Sequence, residues 1–282
     1  MSLQFVKMHG LGNDFILVSL FDQAVSDPAE LACRISDRNR GVGGDGLILA
    51  APPFSPHADV RMIFFNPDGS RAQMCGNGVR CLAKLAYERG LARRNPLRIE
   101  TDAGVLVVNL TVAAGKRVTA IRVDLGEPIL DPRRIPVALS GERAVDVPIP
   151  FSARDLRLTC VSMGNPHAVF FEPDLSHIPL ADWGPQLECH PLFPERTNVH
   201  FVQVLQPDRV KMITWERGTG LTQACGTGAA AACVAGVLNQ LTQRAICVEL
   251  AGGELQVQWD EMTNHVFQTG PAEEVFVGQW PG

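Results

Sequence analysis

Two Cys-Gly-x-Gly segments, at matching places in the two halves of the chain, restrict the fold more than any other feature. Cys75 opens the first segment and Cys225 opens the second, and a helix-like apolar stretch follows each of them. Asn13 lies 62 residues before Cys75, and Asn165 lies 60 residues before Cys225. Because the correspondences occur in the same order in both halves, the sequence indicates a duplication that produced two structurally equivalent domains. Two copies are too few for a solenoid, in which more repeats must stack.

The matching also extends to the polar residues nearer the cysteines and predicts the fold class. Asn66 and Glu216 each lie nine residues before the cysteine of their half. Short strand-like runs bounded by Gly, Pro, Asn or Asp dominate, and helix signals are few. We therefore predict an α+β protein of two pseudo-symmetric domains, each a mixed β-sheet or barrel wrapped around a central helix. The predicted domains are residues 1–126, joined by a returning C-terminal strand at 272–282, and residues 127–271, with the active site in the cleft between them.

The helices that follow the two cysteines differ in their polarity. In the first half, an apolar face accompanies a second face that carries Arg80, Lys84 and Glu88. In the second half, residues 229–238 are apolar nearly all round, which indicates a fully buried helix. A further helix is predicted over residues 30–38, where Asp and Pro stand at the positions favoured at a helix start.

Composition and charge exclude several classes of partner. Hydrophobic residues make up 46% and charged residues 20% of the chain, as in ordinary globular proteins. The net charge of −5, without a basic run, argues against nucleic acid as a partner. The N-terminus lacks a secretory apolar region, and the longest weakly polar run, residues 224–238, is too short to span a bilayer. We therefore predict a cytoplasmic protein without a membrane partner.

The chain holds eight cysteines, which we expect to be thiols in a reducing compartment. Neither a Cys-x-x-Cys pair nor a clustered Cys/His spacing is present in the sequence, so no metal site is predicted. Cysteines outside the two Cys-Gly-x-Gly segments are interpreted as small buried apolar residues.

Two thiols at helix starts suggest acid–base chemistry on a single carbon atom. The free N–H groups and the positive end of a helix dipole favour a thiolate, so we expect both thiol pKa values to lie below that of free cysteine. A thiolate on one face of a C–H carbon can remove the proton while a thiol on the other face delivers one, which inverts the stereocentre.

The carbanion formed in such a reaction needs stabilisation. Two helix N-termini that converge on an α-carboxylate supply it through backbone N–H groups. The residues that fit this role are Gly76, Asn77, Gly78, Gly226, Thr227 and Gly228. No Schiff-base lysine, Rossmann or Walker motif is present in the sequence, which favours chemistry without a cofactor.

Five segments, in order and spread over nearly the whole chain, resemble the hallmark motifs of diaminopimelate epimerases. They are KMHGLGNDF at 7–15, FNPDGSRAQMCGNGVRC at 65–81, SMGNPH at 162–167, ERTNV at 195–199 and ERGTGLTQACGTG at 216–228. The resemblance implies two similar domains, a ligand in the cleft between them, and interconversion of LL- and meso-diaminopimelate by two cysteines without pyridoxal phosphate.

The resemblance also implies roles for individual residues. Cys75 and Cys225 match the acid/base pair, with Cys75 giving the proton and Cys225 taking it for one isomer, and the roles exchanged in reverse. His167 and Glu216 match the pair that tunes the cysteines. Residues that match substrate contacts are Asn13, Asn66, Asn165, Asn198, Glu216 and Arg217.

Two departures and two rival functions remain. Gly46 stands where some members of the family have a substrate-contacting glutamine, and Phe267 stands where others have a tyrosine linked to dimerisation, so homodimerisation stays open. One rival is another cofactor-independent racemase or isomerase, acting on proline-like or other amino acids. The other is a thiol redox protein that uses a Cys75–Cys225 disulfide, a form in which we expect the epimerase to be inactive.

Overall fold

The computed structural model describes residues 2–151 and 154–281 as two compact units. Unit 1 comprises Met1–Asp124 and Thr269–Gly282, and unit 2 comprises Leu125–Gln268. Each unit carries a series of parallel and antiparallel strand pairs, one long buried helix and one shorter helix. The strands and helices of the first half, in chain order, are β1 (Leu3–Gly10), β2 (Asn13–Ser19), α1 (Pro28–Ser36), β3 (Leu47–Ala51), β4 (Val60–Phe65), β5 (Arg71–Ala72), α2 (Gly76–Glu88), β6 (Leu97–Thr101), β7 (Gly104–Val112) and β8 (Val118–Asp124).

The second half repeats this succession of elements. Its members, in chain order, are β9 (Val147–Phe151), β10 (Arg154–Ser162), β11 (Pro166–Phe171), α3 (Leu180–Glu188), β12 (Asn198–Gln206), β13 (Arg209–Glu216), β14 (Gly220–Leu221), α4 (Gly226–Leu238), β15 (Ala245–Leu250), β16 (Gly253–Trp259), β17 (Val266–Gly270) and β18 (Glu273–Trp280). The last strand, β18, returns to unit 1 and pairs antiparallel with β1.

Five successive strand pairs have the same directions in the two units. In unit 1, β1–β2 is antiparallel, β2–β3 parallel, β3–β4 antiparallel, β4–β6 parallel and β6–β7 antiparallel. In unit 2, β10–β11, β11–β12, β12–β13, β13–β15 and β15–β16 follow the same succession of directions. Two-residue strands, β5 and β14, lie at equivalent edges. The predicted α+β class with two pseudo-symmetric halves is therefore confirmed.

A buried 13-residue helix forms the centre of each unit. In α4, Ala229 to Ala235 are at most 1% exposed, as the apolar sequence predicts. Helix α2 is buried as well, although it carries charge. Arg80 is fully buried, and Lys84 donates to the carbonyl oxygen of Val118 and pairs with Glu88. Burial of these cations is tolerated because each is hydrogen-bonded.

Two elements have no clear signal in the sequence. Helix α3 begins after Pro179 without a side-chain cap and contains Pro185, so its start and its interior give no helix signal. Strand β9 contains Pro148 and Pro150, which is compatible with an edge position because its pairing partner is β10. Helix α1 has the expected cap, in which Asp27 accepts from the Glu30 N–H, and ends at Ser36. Within the described residues, no helix has the length and apolar character needed to cross a membrane.

Candidate active site

Cys75 lies at the N-cap of α2 and contacts the asparagine that the duplication pairs with it. The thiol has no capping bond of its own to the helix. It faces Oδ1 of Asn13, at 3.8 Å from Sγ, and the same oxygen accepts from Nδ2 of Asn77 at 3.0 Å. Asn13 reaches this position because the β1–β2 turn, with Leu11 and Gly12 both at positive φ, starts β2 at that residue. Three predicted site residues, Asn13, Cys75 and Asn77, are therefore in contact.

A cluster of charged side chains, formed by Lys7, Asp14, Arg38 and Asp45, orients the amide of Asn13. Asp45 Oδ2 accepts from Asn13 Nδ2 at 2.6 Å, and Asp45 Oδ1 accepts from Nη2 of Arg38 at 2.8 Å. Asp14 joins the cluster through Arg38 and through Lys7. Burial opposes ionisation of Asp14, but hydrogen bonds from Arg38 and Lys7 lower its pKa to about 2. This cluster fixes which end of the Asn13 amide faces Cys75.

Asn77 is held in turn by the buried guanidinium of Arg80. Nη2 of Arg80 donates to Asn77 Oδ1 at 2.8 Å, and Nε donates to the carbonyl oxygen of Pro271 at 3.1 Å. Desolvation lowers the pKa of Arg80 from its usual value. A Cβ at Gly10 would lie 3.0 Å from Nη2 of Arg80, which is a tight contact with the guanidinium. The first turn of α2 is thereby tied to the rest of unit 1.

Asn66, also a predicted substrate contact, lies in the turn between β4 and β5. Its Nδ2 donates to Oγ of Ser70 at 2.9 Å, and its backbone N–H donates to the Ser70 carbonyl oxygen. In unit 2 the equivalent position is Glu216, whose strand pairs Glu216 with Gly220 across the β13–β14 turn. The equivalence of Asn66 and Glu216 thus extends from the sequence to the turn that carries them.

Cys225 lies at the N-cap of α4, is 3% exposed, and has a thiol environment opposite to the expected one. Burial first, and then the neighbouring carboxylate of Glu216, raise its pKa well above the usual value of a thiol. Bonds from the Gly228 N–H and from Thr227 act in the other direction but do not compensate. The expectation of a lowered pKa is therefore wrong for Cys225, because desolvation outweighs the helix terminus.

Glu216 is fixed beside this thiol by a hydroxyl group. Thr222 Oγ1 donates to Oε1 of Glu216 at 2.6 Å, and the Cys225 thiol is hydrogen-bonded to the same carboxylate. A carboxylate in hydrogen-bond contact with a thiol is an acceptor for the thiol proton. Of the predicted residues, Glu216, Cys225 and Thr227 are therefore brought together in unit 2.

His167 lies close to Cys225 and is hydrogen-bonded to Asn165 and to His200. Nε2 of His167 lies 2.9 Å from Oδ1 of Asn165, and Nδ1 lies 2.9 Å from Nε2 of His200. His167 is fully buried. Burial, followed by the influence of His200 and Arg217, lowers the pKa of His167 well below its usual value, so the imidazole is neutral at pH 7.

Asn198 and Arg217 connect the loops around this group. Asn198 donates from Nδ2 to the carbonyl oxygen of Pro166 at 2.8 Å and accepts the backbone N–H of Arg217 on Oδ1 at 3.0 Å. Arg217 is exposed and donates from Nη1 to the carbonyl oxygen of Glu195. Asn198 therefore ties together the segments that carry Asn165 and Arg217.

The third residue of each central helix is a glycine for reasons of packing. A Cβ at Gly228 would lie 2.3 Å from Cε1 of His200, and one at Gly78 would lie 2.8 Å from Cδ1 of Ile48. Gly226 packs on Gln268, whose Nε2 donates to the Gly226 carbonyl oxygen. Gly76 and Asn77 occupy the equivalent first positions of α2. The helix starts thus approach their neighbours closely in both units.

One group of side chains in the described part of the chain has the composition of a soft-metal site. Ligand atoms of His167, His200 and Cys225 all lie within 4.8 Å of one another and are buried. The facing nitrogens of the two imidazoles, however, are hydrogen-bonded to each other. A cation would have to displace that bond and a thiol proton, so the observed arrangement is that of a complete hydrogen-bond network.

Four residues that position the site were not identified as such in the sequence. They are Arg38, Asp45, Arg80 and His200. Asp45 stands in the Gly-rich segment beside Gly46, and Arg80 stands on the charged face of its predicted helix. His200 lies in a strand-like run without a motif of its own. Spacing alone gives no signal for these contacts, because each joins elements far apart in sequence.

Comparison with known sequences identifies one family. A model of the family described as diaminopimelate epimerase matches residues 5–130 and 159–275. Diaminopimelate epimerase from Pelotomaculum thermopropionicum is 52% identical over 281 residues, and that from Moorella thermoacetica is 51% identical over 280 residues; each alignment covers 99% of both chains. The enzyme from Acetivibrio thermocellus is 48% identical over 277 residues, 98% of both chains.

Solved structures with a similar fold have more distant sequences. A probable proline racemase from Agrobacterium radiobacter superposes with a TM-score of 0.71 at 17% identity, covering 99% of this chain and 93% of that one. A PhzF-family phenazine biosynthesis protein from Bacillus anthracis gives 0.69 at 15% identity over the full length of both chains. At such identities the likeness establishes the fold and nothing more.

Proposed function

Because this chain belongs to the diaminopimelate epimerase family, we propose that it interconverts LL- and meso-diaminopimelate by two-base proton transfer, as an isomerase. The observation that carries the proposal is the equivalence of Cys75 and Cys225. Each is the N-cap of a 13-residue buried helix, at the same place in two units with the same succession of strand pairs. A pair of thiols related in this way can face one carbon from opposite sides, as inversion requires.

The proposed reaction balances without a cofactor. For one isomer the Cys225 thiolate takes the Cα proton, and the carbanion takes a proton from the Cys75 thiol on the other face. The C–H bond on one side is replaced by a C–H bond on the other, and the protonation states of the two sulfurs are exchanged. The reverse reaction starts from that exchanged state, so the two cysteines alternate as acid and base.

Formation of the Cys225 thiolate is the step that the surroundings of this sulfur disfavour. Burial and Glu216 both hold the proton on sulfur. In the proposal the carboxylate of Glu216 accepts the thiol proton when substrate binds, while the Gly228 N–H and Thr227 stabilise the sulfur anion. Charge-assisted hydrogen bonds of this kind are stronger than neutral ones. His167 acts in this scheme as a neutral hydrogen-bonding group.

The helix starts bind the α-carboxylate of the substrate in this proposal. Backbone N–H groups at Gly76 and Asn77 and at Gly226 and Thr227 are the donors, because the first N–H groups of a helix have no partner within it. Negative charge that develops at the carboxylate of the carbanion is stabilised by the same groups. The remaining proposed substrate contacts are Asn13, Asn66, Asn165, Asn198, Glu216 and Arg217.

We propose that residues 1–126 with 272–282 act as one domain and residues 127–271 as the other, and that one substrate is bound by both. Closure around the ligand excludes water from the carbanion. Small-angle scattering with saturating substrate is then expected to give a smaller radius of gyration than the free enzyme gives.

We also propose a cytoplasmic location, where reducing conditions keep both thiols active. Homodimerisation stays a prediction, to be tested by the oligomeric state in solution.

Chiral chromatography of the products tests the proposed function. Reduced wild-type protein is expected to convert LL-diaminopimelate into the meso isomer. Cys75→Ser and Cys225→Ser are each expected to form the meso isomer about 100-fold more slowly or slower still, since each substitution removes one proton-transfer group. The interpretation of Cys33 and Cys189 as buried residues is wrong, because both are exposed. Cys189→Ser is therefore the matched control and is expected to keep wild-type turnover. Activity that survives the double replacement of Cys75 and Cys225, or that rises on oxidation, contradicts the proposal.

A further inference from the structure

A chain of hydrogen bonds runs across three neighbouring strands of unit 2 below the start of α4. It joins Thr214 on β13, His200 on β12, His167 on β11 and Asn165 just before β11. The distances are 3.0 Å from Thr214 Oγ1 to His200 Nδ1, then 2.9 Å between the imidazoles and 2.9 Å from His167 Nε2 to Asn165 Oδ1. His167 and His200 are 0% exposed and Thr214 is 4% exposed.

All three hydrogen bonds in this series must have their donors on the same side, either the Thr214 side or the Asn165 side. A neutral imidazole donates from one nitrogen and accepts on the other, so the role of one ring decides the role of the next. Burial lowers the pKa of His200 to about 3, and His167 is neutral as well. Two arrangements are therefore open to the chain: all donors point from Thr214 toward Asn165, or all point the other way.

The hydroxyl of Thr214 selects the first arrangement. Its bond to His200 is the one hydrogen bond found for this buried hydroxyl in the described residues. A buried donor without an acceptor is rarer and costs more than an acceptor with an unused lone pair. The hydroxyl proton therefore goes to His200 Nδ1, His200 Nε2–H donates to His167 Nδ1, and His167 Nε2–H donates to Asn165 Oδ1.

We propose that His200 and Thr214 are positioning residues that fix the side-chain amide of Asn165 with its Nδ2 group toward the substrate. Oδ1 of Asn165 is occupied by His167, and Nδ2 has no partner within residues 2–151 and 154–281. With the opposite direction, Asn165 turns its amide over and presents an oxygen to a substrate that carries carboxylates. The inference rests on the proposed function, because it assigns Asn165 as a donor to the ligand.

The packing around His200 makes this geometry rigid. The ring touches the start of α4, where a Cβ at Gly228 would lie 2.3 Å from Cε1. His200 also stands directly opposite Thr214 in the antiparallel β12–β13 pair. The imidazole therefore cannot rotate away from either of its partners without displacing the helix or the strand.

Two substitutions of His200 separate positioning from simple packing. Gln can accept from Thr214 on its oxygen and donate to His167 from its nitrogen, whereas Leu can do neither. We expect H200L to raise the KM for LL-diaminopimelate about tenfold, the effect of losing roughly one hydrogen bond, with a smaller change in kcat. H200Q is expected to stay within about twofold of the wild-type KM. A purely structural role predicts a lower kcat at unchanged KM in both variants.

Nitrogen-15 NMR of histidine-labelled wild-type protein reads the direction of the chain without any activity assay. In H200Q the signals of His200 are lost and those of the neighbouring His167 shift, which assigns both rings in the wild-type spectrum. We expect both rings to carry their proton on Nε2 at pH 7. A proton on Nδ1 of His167, a cationic His167, or equal kinetic defects in H200Q and folded H200L overturns the proposal. If the wild-type protein does not turn over diaminopimelate, the proposed function fails, and the NMR result alone decides the direction of the hydrogen bonds.

Discussion

Asn13 donates from its side-chain Nδ2 to Oδ2 of Asp45 at 2.6 Å, which leaves its Oδ1 facing the thiol of Cys75. Asp45 is itself held by Arg38. The orientation of an amide beside a proposed catalytic thiol thus depends on a carboxylate that touches neither the thiol nor the helix start. The relationship links the Gly-rich segment before β3 to the chemistry of Cys75.

Removal of the Asp45 carboxylate is expected to impair turnover without changing the cysteines. In Asp45→Ala the amide of Asn13 loses its acceptor and can turn over, so we expect kcat/KM to fall about tenfold to 100-fold, the effect of one charge-assisted hydrogen bond. Asp22→Ala, at an exposed aspartate, is the matched control. Steady-state kinetics of both variants checks this, and equal values for Asp45→Ala and wild type contradict the assigned role.

Removal of the Glu216 charge is expected to make alkylation of Cys225 faster and epimerisation slower. Burial raises the pKa of Cys225 first, and the Glu216 charge raises it further. Glu216→Gln removes that charge, so the thiolate fraction of Cys225 at pH 8 rises and alkylation by a small iodoacetamide reagent becomes faster. Epimerisation becomes slower, because the proton acceptor is gone.

Peptide mass spectrometry measures alkylation at Cys225 directly, and alkylation at the exposed Cys33 provides the internal control for reagent activity. Slower alkylation of Cys225 in Glu216→Gln than in wild type, with unchanged labelling of Cys33, contradicts the assigned electrostatic effect.

The buried histidines are expected to make the fold sensitive to mild acid. Burial lowers the pKa of His167 well below the usual value of 6.5 and that of His200 to about 3, so below pH 6.5 the unfolded chain binds protons that the folded chain does not. The free energy of unfolding therefore falls as the pH falls from 6.5, by up to ~1.4 kcal/mol per pH unit for each such group.

Urea unfolding at pH 7 and pH 5 measures this loss. His200→Gln removes one of the two groups and is expected to lose less stability between these pH values than wild type loses. A loss in His200→Gln equal to or greater than that of wild type rules out a neutral buried His200.

Gly228 provides a test of the packing at the start of α4. A Gly-to-Ala change inside a helix ordinarily stabilises it, by about 1 kcal/mol. Here a Cβ would lie 2.3 Å from the His200 ring, so we expect Gly228→Ala to destabilise the protein and to reduce turnover. Thermal unfolding decides between the two signs, and a melting temperature above that of wild type contradicts the observed contact.

Much of the fold could be predicted because matching residues have nearly the same spacing in the two halves of the sequence, which indicates the duplication. The matching cysteines and asparagines indicate two equivalent halves, and the apolar sequence of α4 indicates its burial. Asp27 and Pro28 likewise mark the start of α1, as the structure has it. These signals are local or periodic, so a single sequence reveals them.

The rest depends on contacts between distant residues, which periodicity does not encode. Helix α3 has no side-chain cap and contains Pro185, so its local sequence does not favour a helix. It is stabilised by packing against β13, and tertiary structure overrides the local signals. Arg80 is polar by type but lies in the core because Asn77 and Pro271 satisfy it. The pKa of Cys225 rises because burial and Glu216 outweigh the helix terminus, a balance that no spacing reveals.

The most direct test of two-base catalysis by Cys75 and Cys225 is the early reaction of LL-diaminopimelate in D₂O, with the isomers separated before the Cα protons are read by NMR. We expect the meso product to carry deuterium at the inverted Cα from the first turnovers, while the recovered LL substrate keeps its proton. Deuterium that enters the recovered substrate as fast as the product indicates a single base serving both faces. That result, or the absence of any meso product, contradicts the account.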